Sequence, residues 1–224
     1  MLKPIIVFDF ETDGVDEQTC QPVQLAAVVI NPYKLELMEG EEFSSYMKPD
    51  IKDWDKYLEV ESVKKCIEWH ANNYKCSPDE IVEKWKAAPD QEQVWRRFSS
   101  FVNKFNSKKT DYFAPIAGGA NIRNFDMAIL RRLNEKYKIK TMFWKRDQED
   151  IVELCYHFLT YRADCPNNFR MDTLRKYFNV PVNPKANINA HDALQDVYDE
   201  TYILLKFLKM KKYVGEKWSI PKNE

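Results

Sequence analysis

The chain has 224 residues, 44% hydrophobic and 31% charged, with 34 Lys and Arg against 35 Asp and Glu. A chain of this length buries about 70% of its unfolded surface in one core, which excludes a disordered polymer. A formal charge of −1 excludes a protein that coats nucleic acid or an anionic membrane by bulk attraction, so any polyanion must be gripped locally.

Pro4 to Phe10 is a short β-branched run ending in acids and then Gly14, the pattern of a buried strand with a loop at its carboxyl end. Val23 to Ile30, closed by Asn31-Pro32, gives a second strand, and Glu36 to Met47 a third, so a meander is expected. From Glu59 to Phe105 the period becomes helical, with cap-like Ser77-Pro78-Asp79-Glu80 and a break at Pro89. Phe113 to Ala117 is again strand-like and runs into Gly118-Gly119. Asn124 to Lys138 then places Phe125, Ile129, Leu130, Leu133 and Tyr137 at helical spacing. Lys140 to Trp144 reads as one more strand, and helices are expected over Ile151 to Tyr161, Met171 to Phe178 and Asp192 to Lys211. The sum is an α/β domain of about five strands spanning residues 1–212, followed by a loose tail over 213–224.

The longest apolar run, Leu25 to Ile30, is far shorter than the roughly 18 residues of a membrane span, and Met1 leads into acids rather than a signal peptide. The five cysteines, Cys20, Cys66, Cys76, Cys155 and Cys165, are odd in number and form no CxxC pair, as expected of inert thiols in a reducing cytoplasm.

Asp9 and Glu11, two apart on the first strand, project from one face at its carboxyl end. Alone such a pair is an ordinary solvated strand end. It is echoed by Asp126, opening the helix after Gly118-Gly119, and by His191 and Asp196, five apart at the start of the last helix. Each has its own plain reading as a capping or first-turn residue, and the ensemble outweighs them.

Asp9-Phe-Glu11-Thr-Asp-Gly14, Asn124-Phe-Asp126 and Ala190-His-Asp-Ala-Leu-Gln-Asp196 resemble, in order and context, the three motifs of the DEDDh (DnaQ-like) 3′-5′ exonucleases of the ribonuclease H-like superfamily. That family includes the proofreading subunit of bacterial DNA polymerase III, oligoribonuclease and ribonuclease T. The resemblance spans residues 4–206 and implies a ribonuclease H-like fold, a mixed five-stranded sheet flanked by helices. It implies hydrolysis of phosphodiesters at the 3′ end of single-stranded nucleic acid, DNA first and RNA close behind, with release of nucleoside 5′-monophosphates. An oligoribonuclease- or ribonuclease T-like exoribonuclease is the alternative, and a catalytically inactive nucleic-acid-binding module on the same fold is the rival from another class.

Phosphodiester hydrolysis needs an activated water and stabilisation of the extra charge at phosphorus, which two Mg²⁺ or Mn²⁺ ions about 4 Å apart supply. Such hard cations take oxygen ligands, which suits Asp9, Glu11, Asp126 and Asp196, with Asp9 bridging. His191 is left to take a proton from the attacking water. The resemblance also makes Thr12, Phe10 and Asn124 candidate substrate contacts, although Phe10 and Phe125 equally suit core packing. Two departures stand out. Ile122 and Asn121 replace an Asn often preceded by His, and Asp13 adds negative charge beside the site. His70 is placed near the substrate groove, His157 is a satisfied helix residue, and Trp54, Trp69, Trp85 and Trp95 are core residues of the helical layer. No partner-binding tail is visible, so a polymerase or other protein partner is not legible.

Overall fold

The computed structural model describes residues 2–140, 143–181 and 192–217. Five strands form one sheet in the order β3-β2-β1-β4-β5: β1 (Ile5–Thr12), β2 (Pro22–Asn31), β3 (Glu36–Tyr46), β4 (Ile116–Gly119) and β5 (Gln148–Asp150). The meander β1–β2–β3 is antiparallel, whereas β4 and β5 join β1 in parallel. The carboxyl ends of β1, β4 and β5 therefore share one edge of the sheet, the place where open sheets of this kind bind ligands.

Between β3 and β4 lie α1 (Trp54–Leu58), α2 (Glu61–Tyr74), α3 (Pro78–Ala87) and α4 (Gln91–Lys104). The start of α3 is the expected capping box, Ser77 and Glu80 each bonding the other's backbone N–H, and Pro89 separates α3 from α4. Then follow α5 (Asp126–Tyr137), α6 (Ile151–Leu159), α7 (Met171–Tyr177) and α8 (Ala193–Lys217).

Strand alternation divides β1 between two cores. Ile6, Phe8 and Phe10 face α4 and α5, packing with Trp95, Phe98 and Ile129; Ile5 and Val7 face the other way, against α6, α7 and α8. Asp9 and Glu11 continue that second face. Helix α8 presents Asp196, Glu200 and Leu204 at intervals of four, one stripe turned to the sheet. A Cβ added at Gly118 would lie 3.1 Å from both Ile5 Cγ2 and Leu204 Cδ2, and one at Gly119 would lie 3.3 Å from Glu200 Oε2. The bare end of β4 thus lets α8 lie close on the sheet.

Two expectations are corrected. Of the segment 140–144, Lys140, Phe143 and Trp144 are described and none is in a strand; the fifth strand is Gln148–Asp150. Phe143 is buried, stacking on Phe8 at 5.3 Å, so its apolar character belongs to the core. The last helix continues to Lys217, past its expected end at Lys211, while residues 218–224 lie outside the described residues. Among the described residues no helix is long and apolar enough to cross a membrane, and all five cysteines are free.

Asp150 joins two elements at the functional edge. It caps α6 by accepting the N–H groups of Val152 (2.9 Å) and Glu153 (3.4 Å), and it accepts those of Asn121 (3.2 Å) and Arg123 (3.3 Å) from the loop leading to α5. Asp150→Ala removes a cap and leaves two loop donors without their acceptor, so it should lower the unfolding free energy by about 2 kcal/mol or more. Asp150→Asn, which keeps an acceptor oxygen, should lose less. Urea denaturation in saturating Mg²⁺ measures both; a loss below about 0.5 kcal/mol for the alanine variant, the range of ordinary surface changes, would show that the loop holds itself.

Candidate active site

The amino end of α8 is fixed over β1 by Gln24, which sits opposite Glu11 in the β1–β2 ladder. Gln24 Nε2 donates to Asp192 Oδ2 (3.1 Å), and its Oε1 accepts the N–H of Ala193 (3.4 Å). Asp192 in turn caps the helix through the N–H of Leu194 (3.1 Å). Asp196, one turn in, then meets the strand acids: Asp9, Glu11 and Asp196 each offer a carboxylate oxygen within 4.8 Å of the others. Asp126 arrives from the opposite side at the start of α5. It is 3% exposed, and its Oδ1 accepts the N–H of Phe10 at 3.1 Å, which ties it to the backbone between the two strand acids.

Burial, reinforced by neighbouring carboxylates, raises the carboxyls of Asp9, Glu11 and Asp126. Asp9 is pushed well above the usual carboxylate range by burial and then by Asp126, Glu200, Glu11 and Asp196. Glu11 is raised by burial and then by Asp196 and Asp192. Burial lifts Asp126 to about 7, against the pull of the Phe10 N–H. The compensating cation is Arg175 of α7, whose guanidinium pairs with Asp196, with Asp199 at 2.5 Å and with Asp172 at 2.9 Å.

Asp9, Glu11 and Asp196 line a cavity of about 900 Å³ whose other walls include Trp69, Arg170, Arg175 and Glu200. Thr12 also lines it, with its hydroxyl donating to Gly14 O (2.6 Å) and its carbonyl accepting from Cys66 Sγ (3.2 Å) and His70 Nε2 (3.0 Å). Burial pushes the Cys66 thiol up to about 12, so it is a protonated donor there and not a metal-binding thiolate. The ligand set that remains is all oxygen, which fits Mg²⁺ or Mn²⁺.

Other sequence-stated positions fall as follows. The Phe10 ring is buried against Phe8 and Trp95, so its contribution to the site is its N–H. Asn124 is exposed and donates to Asn121 Oδ1 (3.1 Å), while its neighbour Phe125 forms the cavity wall. Asp13 does not face the cavity. It is 5% exposed and braces its loop by accepting Gln21 N–H (2.6 Å) and Tyr57 OH (2.5 Å). Ile122 is a fully buried core residue. His70 lies beneath the cavity rim, His157 is exposed on α6, and His191 lies outside the described residues.

Three cavity residues escaped the sequence reading. Trp85 and Trp95 are core, but Trp69 is 42% exposed, stands edge-on to His70 and faces the cavity. Arg175 lies in a stretch that read only as a short helix, and Glu200 gave a signal solely as the acid one turn beyond Asp196.

A family model described as the 3′-5′ exoribonuclease Rv2179c-like domain matches residues 5–206. A search of curated proteins gave no match. Among solved structures, cell-death related nuclease 4 superposes with a TM-score of 0.64 at 14% identity, covering 93% of this chain and 64% of that one. E. coli exonuclease I bound to a dT13 oligonucleotide gives 0.64 at 19%, covering 96% and 43%. Exonuclease I from Methylocaldum szegediense gives 0.61 at 16%, covering 94% and 43%. The chain thus spans less than two thirds of each of these proteins, and at these identities the likeness is one of fold, the ribonuclease H-like exonuclease architecture.

The raised acids make a pH dependence. An unfolded Asp126 releases its proton near 3.8, the folded one near 7. Between those values the folded state binds more protons, so the stability present at low pH is lost as pH rises through that window. Calorimetry in EDTA should show a higher Tm at pH 5 than at pH 8, and Asp126→Asn should flatten this slope and raise the Tm at pH 8. A slope unchanged by Asp126→Asn would mean that burial does not hold a proton on Asp126 in the folded state.

Proposed function

Since the chain belongs to the Rv2179c-like 3′-5′ exoribonuclease domain family, we propose that it removes nucleoside 5′-monophosphates one at a time from the 3′ end of single-stranded nucleic acid. The observation that carries this reading is the meeting of Asp9, Glu11 and Asp196 within 4.8 Å, with Asp126 tied to the same strand, at the wall of an open cavity. RNA becomes the first choice of substrate on the family's description, and DNA, favoured by the sequence reading, the second.

Asp9, Glu11, Asp126 and Asp196 would hold two Mg²⁺ or Mn²⁺ ions, which supply Lewis acidity for water activation and for the charge that develops on the phosphoryl group. The residues of the chain divide the remaining work. His191 takes the proton from the attacking water, a role that an imidazole suits at neutral pH. Trp69 offers a flat surface on which the terminal base stacks whatever its identity. Lys65 and Arg170, also at the cavity wall, meet the phosphates of the strand, a local grip in keeping with the near-neutral charge of the whole chain. The Thr12 loop, pinned from below by Cys66 and His70, borders the sugar. The rival reading, an inactive binding module, leaves a set of mutually repelling acids without a purpose.

End-labelled RNA and DNA oligonucleotides incubated with Mg²⁺, Mn²⁺ or EDTA test the assignment. Mononucleotides should be released from the 3′ end only with metal, and alanine at Asp9, Glu11, Asp126 or Asp196 should abolish release. His191→Ala should lower turnover by about 10²- to 10⁴-fold while Mn²⁺ binding persists. His157→Ala, on the exposed side of α6, should leave turnover unchanged. Attack from the 5′ end, or full activity in Asp126→Ala, would refute the mechanism.

A further inference from the structure

Glu200 is 4% exposed and lies in the wall of the same cavity, four residues beyond Asp196 on the sheet-facing stripe of α8. The backbone N–H of Ala120 bonds its carboxyl group, yet Oε2 is buried with no hydrogen-bond partner among the described residues. Buried carboxylate oxygens are rarely left unsatisfied, because the lost hydration must be replaced by a proton donor or a cation. None of the positions with a stated role in hydrolysis includes this residue.

Its surroundings indicate what completes it. Of the neighbouring charges, Asp126 weighs most on Glu200, followed by Asp196. Asp9 in turn feels Asp126 and Glu200 before Glu11. Glu200 thus shares its charged surroundings with Asp126, Asp196 and Asp9, and it stands in the cavity wall beside Asp9 and Asp196. The absence of a side chain at Gly119 keeps a space beside Oε2 that a Cβ would crowd at 3.3 Å.

On the two-ion reading above, we propose that Glu200 is a fifth carboxylate of the metal site, completing the ion position on the Asp126 side of Asp9. That position would then draw on Asp9, Asp126 and Glu200, beside the group formed by Asp9, Glu11 and Asp196. Both ions are held by the protein itself before any substrate phosphate arrives.

Mn²⁺ titration of the full chain, followed by calorimetry and by the electron paramagnetic resonance signal of free Mn²⁺, tests this on wild type, Glu200→Gln and Asp9→Asn. Wild type should bind two ions and Asp9→Asn should lose both. Glu200→Gln should keep one affinity and weaken the other by about 10- to 100-fold, with a Tm in EDTA no lower than wild type. Wild-type affinity at both positions in Glu200→Gln overturns the proposal, as does loss of both together with a lowered Tm in EDTA, which marks a structural role. Should the glutamine variant fail to fold, Glu200→Asp, whose charge is withdrawn by one methylene, must show the same selective weakening, and unchanged binding there overturns the proposal too. If wild type cleaves RNA and binds two ions while Glu200→Gln matches it, only the role of Glu200 falls; if wild type binds no ion, the two-ion reading falls with it.

Discussion

Carboxylates crowded into a partly buried site repel one another: two unit charges 4 Å apart cost about 4 kcal/mol at an effective dielectric near 20. Asp9, Glu11, Asp126, Asp196 and Glu200 all press on their neighbours in this way. The fold must therefore hold them with structure that is stable for other reasons. The two apolar cores on either face of β1 provide it, since Asp9 and Glu11 merely continue the row begun by Ile5 and Val7. Local relief comes from the Phe10 N–H and the Arg175 guanidinium.

Sheet topology explains why the acids meet at all. Because β4 and β5 run parallel to β1, the loops that follow all three strands leave from one edge, bringing together residues more than a hundred positions apart. Asp150 at the end of β5 then sets the loop that carries Asp126, and Gln24 on the antiparallel side sets the start of α8. Each acid is thus placed by a backbone hydrogen-bond arrangement specific to its own element.

Asp9 and Glu11 were legible in the sequence because a strand has period two and the run before them is β-branched. Asp126 and Asp196 were legible as helix-opening acids in motif order. What the sequence could not show was pairing across elements: Arg175 and Asp196 lie 21 positions apart on different helices, and no period links them. Nor could it show direction, and Trp69 has the same helical spacing as a core residue while facing the cavity. The strand expected over 140–144 was misplaced because β5, at three residues, is too short to display alternation, whereas Phe143 is apolar for reasons of packing. Asp13 shows the opposite failure. Its charge drew attention beside the first motif, but a buried phenol and an amide consume it.

The stripe of α8 that carries Asp196 and Glu200 also carries Leu204, and Leu204 rests where Gly118 has no side chain. The helix is rigid over these two turns, so the gap left by one missing methyl group at Gly118 sets how far the helix acids stand from the strand acids. A residue in the interior of the sheet thereby sets the spacing of acids that it does not touch. The constraint on the acids accordingly reaches into the hydrophobic interior, where a side chain added at Gly118 pushes on Leu204 and so displaces the acids one and two turns away.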